Sequence, residues 1–155
     1  MRSTPFVVLL VAIMPVTKFL IGTRIGATAA IVPLTVNAIP LLTRLFENSL
    51  LDTGNGILEA ALAMGATPLQ LVTKFILPES LGSVILSLTT GIVGLIGASA
   101  MAGYVGGGGI GALVLNYGYN RFNFTLMYSL VVVLIIITQC IQSLGNFFAG
   151  KARRK

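Results

Sequence analysis

Four side-chain carboxylates, one thiol and no imidazole narrow the acid–base, nucleophilic and metal chemistry open to this 155-residue chain. Without histidine, neither a Ser-His-Asp triad nor a Cys-His pair can be assembled. Cys140 stands alone, so an internal disulfide and the usual His/Cys zinc site are both out of reach. The carboxylates are Glu47, Asp52, Glu59 and Glu79, all inside one 33-residue stretch. A glycine run, Gly103 and Gly106 to Gly109 with Gly111, raises the question of a phosphate loop. Such a loop needs Lys-Ser or Lys-Thr after its glycines, and Gly103 to Asn120 contains no basic residue. The chain is therefore not expected to be an enzyme or to hold a cofactor or metal. Any nucleotide must be bound by another polypeptide. The glycine run reads as a flexible reentrant or interfacial turn, with Tyr104, Tyr117 and Tyr119 near lipid headgroups.

The elements that carry these residues are written in the composition. Apolar residues make up 55% and charged residues 9%, against roughly 25% charged in a soluble domain. Disorder goes with low hydrophobicity and high charge, so an integral membrane protein remains. Apolar blocks cover about 5–21, 27–46, 81–102 and 124–148. The 22 residues of the third reach about 33 Å as a helix, enough for a hydrocarbon core of about 30 Å. The first block resembles a signal peptide only in part, since Lys18 and Arg24 separate it from the small residues Ala27-Thr28-Ala29. The expected fold is all-α: a polytopic membrane helix bundle of about four transmembrane helices. Residues 1–150 form one domain and 151–155 a basic tail.

Lys and Arg are enriched in cytoplasmic loops. Four spans put Arg2, Arg44, Lys74, Lys151, Arg153, Arg154 and Lys155 on one side and Lys18, Arg24 and Arg121 on the other. Seven against three places both termini and the second loop inside. In a soluble chain the tail would suggest nucleic acid; here it reads as an anchor against anionic lipid.

The connection over about 55–77 holds the most legible grammar. Asp52-Thr53-Gly54-Asn55-Gly56 is a turn cluster with Asn55 as N-cap. Ile57, Leu58, Ala61, Met64, Leu69, Val72, Phe75 and Ile76 then recur near helical spacing. Gly65 interrupts in the manner of a helix stop. Thr67-Pro68-Leu69-Gln70 restarts the helix, with Thr67 as N-cap and Gln70 closing a capping box. Pro78 lies where the next helix can begin. The expectation is helix, glycine corner, helix, then membrane, with one apolar face left for a partner or for lipid.

Within the third block, Ser83, Ser87, Gly91, Gly94, Ala98 and Ala102 form a narrow stripe of small residues. Such stripes let helices approach closely in lipid. It serves packing against the first and last blocks, or faces a pathway or dimer axis. Asn37 lies between Pro33 and Pro40. Its amide either satisfies carbonyls that the prolines free, or lines a pathway. Gln139 and Gln142 suit interhelical hydrogen bonds.

Glu59-Ala60-Ala61, three residues, Gly65, twelve residues and Pro78 resembles the EAA loop of binding-protein-dependent ABC importer permeases. That family's pattern is Glu-Ala-Ala, three residues, Gly, nine residues, Ile, one residue, Leu-Pro; Phe75 stands here at the Ile position. Further segments are similar to the methionine importer permeases. They include Arg2-Ser3-Thr4-Pro5-Phe6, Ala30 to Val36, Pro40 with Arg44, Glu47, Asn48 and Leu50, and Ala63 to Pro68. Gly108-Gly109-Ile110-Gly111 and Tyr117-Gly118-Tyr119 continue the likeness. Such permeases usually carry another helix upstream, so the chain resembles one lacking its N-terminal transmembrane helix.

The resemblance implies a type-1 importer permease fold in the bacterial cytoplasmic (inner) membrane, translocating methionine in its D and L forms. It implies a homodimer, ABC ATPase subunits on the cytoplasmic side, and a methionine-binding protein or lipoprotein outside, with no nucleic acid. Glu59, Ala60, Ala61, Gly65 and Pro78 would form the ATPase-coupling element, small residues 60 and 61 letting the helix sit deep in a groove. Asn37, Ser87, Gly91, Gly94 and Ala98 would serve the pathway or packing. Two alternatives stand beside this: another amino acid or small solute within the family, and a secondary carrier or channel without an ATPase. The latter predicts intramembrane ionisable residues, which the later three blocks lack before Arg44.

Overall fold

The computed structural model describes residues 6–103 and 106–153. The Arg2 to Pro5 motif, Tyr104, the last two tail residues and the Asn55 side chain lie outside what is described. Among the described residues every regular element is helical. Helix α1 is Phe6–Ile21, α2 is Ala27–Leu51 and α3 is Asn55–Ala63. Helix α4 runs without interruption over Pro68–Ala102, α5 is Gly109–Leu113 and α6 is Phe124–Ala152.

Helices α2, α4 and α6 are long and apolar enough to cross a membrane. Helix α1 has 16 residues, about 24 Å, and falls short of the roughly 30 Å core. Four spans were expected; three of the described helices reach the length. The apolar window of α6 buries nothing inside the chain, leaving residues such as Val132, Ile135 and Ile136 outward. That surface suits lipid, where a helix needs no polar partner for its backbone.

Two corrections concern helix limits. Pro78 does not open a helix; α4 passes straight through it. A proline deletes its own N–H and crowds the carbonyl four residues back. Here the preceding turn, Leu71–Ile76, is π-helical, and the Leu77 N–H bonds to the Val72 carbonyl five residues back. The wider turn relieves the crowding while the axis continues. At the start of α3, Gly54 is the cap residue and Asn55 is already helical.

The chain divides into two compact units. The first holds residues 1–41 and 92–140. Its small core is Leu10, Ala30 and Ala102, flanked by Phe6, Met14 and Leu34. The glycine run is not a turn throughout: α5 continues into a π-helical segment, Val114–Tyr119. A Cβ on Gly103 would stand 2.5 Å from the Ala112 nitrogen, and one on Gly111 would collide with the Ala100 carbonyl. These glycines let one backbone lie directly on another, a use of glycine distinct from flexibility.

The second unit holds residues 42–91 and 141–155. Ser49 of α2 is buried, donates to the Ser83 carbonyl at 3.2 Å and pairs with the Ser87 hydroxyl. Gly91 lies against Leu42, and Gly145 of α6 lies against Thr89. Helix α3 packs on the π-helical turn Leu71–Ile76.

Candidate functional site

The loop between α2 and α4 is built from local chemistry. Helix α3 ends where Gly65 takes φ +77°, the left-handed region that glycine enters freely. The Gly65 N–H bonds to the Leu62 carbonyl at 2.9 Å and the Ala66 N–H to the Ala61 carbonyl at 3.1 Å. This 5→2 and 6→1 pair is a Schellman closure. Two residues later the chain restarts. Thr67 Oγ1 accepts from the Gln70 N–H at 3.4 Å, and the Thr67 N–H donates to Gln70 Oε1 at 3.0 Å. Pro68, which has no N–H to satisfy, takes the first helical position.

The five expected coupling residues do not share one surface. Glu59 and Ala60 are exposed, and Glu59 forms no ion pair among the described residues. Ala61 is fully buried. That corrects the expectation that residues 60 and 61 together enter a partner's groove: Ala61 faces the chain's own interior, and Ala60 is the one presented. Gly65 is open, with nothing within 4 Å of a would-be Cβ, so its requirement is conformational. Pro78 lies on α4, beyond the loop's π-helical turn.

Leu62, Met64 and Leu69 are exposed at 58%, 71% and 74%. An apolar face at a helix corner with one carboxylate beside it can receive a protein surface. Met64 and Leu69 were legible as apolar, but the sequence did not separate them from Ile57, Leu58, Phe75 and Ile76, which turn partly inward. Leu62, four residues after Leu58, keeps helical spacing but was not singled out in the sequence.

The small-residue stripe meets α2. Ser87 pairs with Ser49, Gly91 meets Leu42, and a Cβ on Gly94 would stand 3.5 Å from Leu41. Ala98 and Ala102 are buried, the latter beside Leu10 and Ala30. The partner is thus chiefly the second block, where the first and last were expected; Gly145 of the last block uses Thr89, off the stripe. Asn37 is half-buried and makes no side-chain hydrogen bond among the described residues. An apolar groove of about 400 Å³ in the first unit runs between Ile31, Thr35 and Ala38 of α2 and Ile92, Ile96 and Ser99 of α4. None of Asn37, Ser87, Gly91, Gly94 or Ala98 lines it. Thr35 and Ser99, its hydroxyl-bearing residues, looked like ordinary helix positions in the sequence.

Residues 1–154 match the family model described as binding-protein-dependent transport system inner membrane component. The chain belongs to this family. Among its relatives in the family, a probable D-methionine transport system permease protein, MetI, from Vibrio cholerae is 54% identical over 145 residues. The match covers 94% of this chain and 64% of that protein. The corresponding proteins of Pasteurella multocida and Haemophilus influenzae are 47% and 45% identical, with 97% of this chain covered in each case. This chain spans 64%, 69% and 70% of the three relatives' lengths. A chain of the MetNI methionine ABC transporter, solved in inward-facing conformations, superposes with a TM-score of 0.89 at 45% identity. It covers 97% of this chain, and 70% of that chain is matched. The all-helical permease fold and a place in the inner membrane follow from family and structure together.

Proposed function

We propose that this chain is the membrane-spanning subunit of an ATP-driven importer for methionine, working as a homodimer with separate ATPase subunits. A methionine-binding protein on the outer face would deliver the solute. The observation that carries the reading is the loop corner mounted on α4. Glu59, Ala60, Leu62 and Met64 are presented at the surface, and Gly65 fixes the corner. The chain then enters a 35-residue helix without a break, about 52 Å long. A docked partner that moves the corner moves that helix as a lever.

The methionine assignment is supported by the names of the relatives and of the solved neighbour. The catalytic inventory supports a permease: nucleotide chemistry is left to the partner. Ala60 and Glu59 are the docking residues, Gly65 sets the corner, and Ala61 and the turn before Pro78 hold it from behind.

Co-purification tests the reading. The chain with its cognate ATPase subunit should form a stable complex, and Gly65→Leu should weaken both assembly and methionine uptake. Absence of any ATPase from the wild-type chain, or full assembly and uptake with leucine at 65, would sink it.

A further inference from the structure

The C-terminal end of α6 is tied to α4 through the side chain of the residue that follows it, whose N–H still bonds to the Ala149 carbonyl at 3.0 Å. Arg153 donates from Nη2 to Ser83 Oγ at 3.4 Å, seventy residues away in the chain. Its aliphatic stem crosses Gly82: a Cβ there would stand 2.5 Å from Arg153 Cγ and 3.2 Å from Cδ. Glycine is a weak residue inside a helix, and here its missing side chain is the space the arginine fills. One and two turns back on the same face of α6 stand Ala149, 2% exposed, and Gly145, against Thr89. Gly145, Ala149 and Arg153 recur every four residues and so form one ridge. Ser83 also accepts from Ser49 through its carbonyl, so α2, α4 and α6 meet at one residue.

We infer that Arg153 is a positioning residue that locks the end of α6 to the root of α4. Because α4 runs on unbroken to Pro68, displacement of the Gly65 corner is handed to α6 as well as along α4. This rests on the coupling role proposed for the loop. It also reassigns Arg153: its stem serves the protein, in place of the lipid contact expected for the whole tail. Arginine suits the place because a long apolar stem can pack while the charged head stays wet.

The test uses the full chain assembled with its ATPase in vesicles, comparing wild type with Arg153→Ala, Gly82→Ala and Arg153→Lys. Alanine at 82 improves helix propensity, so a loss there cannot be blamed on a weaker helix. Two quantities are read: methionine taken up per ATP hydrolysed, and the rate of tryptic cleavage after Lys151, a site all four chains keep. Arg153→Ala and Gly82→Ala should cut uptake per ATP roughly threefold and speed cleavage as much, the scale of one interhelical hydrogen bond. Arg153→Lys, which keeps the stem and a donor, should stay near wild type. Faster cleavage in Gly82→Ala with unchanged uptake per ATP overturns the inference, and so does equal cleavage in wild type and Gly82→Ala. A wild-type complex that recruits no ATPase or moves no amino acid would instead defeat the transport reading, and cleavage alone would then decide the latch.

Discussion

Alanine at position 65 separates backbone conformation from packing. A Cβ there would meet nothing within 4 Å, so no neighbour has to move. What remains is the left-handed backbone at φ +77°, which places a Cβ against its own chain at a cost of about 1–2 kcal/mol. That energy lowers the closed-to-open ratio of the corner by a factor of roughly 5–30. Opening breaks two defined bonds, Gly65 to Leu62 and Ala66 to Ala61. Amide hydrogen exchange reads this equilibrium. Corrected for intrinsic rates, the Ala66 amide of Gly65→Ala should exchange faster by that factor. Gly65→Asn should fall between, because asparagine tolerates the left-handed region. Wild-type protection in Gly65→Ala would refute the conformational argument. Equal loss in the alanine and asparagine variants would move the cause from backbone to side chain.

Other consequences are as direct. Thr67→Ala removes the acceptor of the Gln70 N–H and should cost about 1 kcal/mol, seen as faster exchange at the amides of Gln70 to Val72 with the rest of α4 unchanged. Glu59→Gln alters an exposed carboxylate that forms no ion pair among the described residues; thermal stability should hold within about 0.5 kcal/mol while affinity for the proposed ATPase subunit falls. Thr53 Oγ1 is buried with no partner among the described residues. Thr53→Val should therefore raise stability by about 1 kcal/mol, measured by denaturation in detergent. Gly111→Ala drives a methyl into the Ala100 carbonyl and should destabilise by about 1–3 kcal/mol in the same assay.

What the sequence disclosed depended on the range of the interaction. The shortage of charge and the apolar blocks announced an all-helical membrane chain, since lipid dictates both. The Gly65 stop and the Thr67–Gln70 box were legible because a helix end is decided by residues three or four apart. Pro78 misled for the converse reason: the π-helical turn that lets α4 pass through it leaves no mark in apolar periodicity. The glycine run was read as flexible because sequence does not distinguish freedom from close approach, and Gly103 and Gly111 are there for the latter. Ala60 and Ala61 looked alike, yet a one-residue step of about 100° sends one outward and buries the other. The Arg153, Gly82 and Ser83 contact spans seventy residues, and no local pattern foretells it.

In the proposed function, the surface corner at Glu59 to Gly65 couples a separate ATPase to movement of methionine through this chain. Reconstituted with that ATPase and a methionine-binding protein, the chain should take up labelled methionine only with hydrolysable ATP. Gly65→Leu should weaken uptake while leaving the helical content of the chain intact. Uptake that persists without ATP, or that is undiminished by leucine at 65, would rule that coupling out.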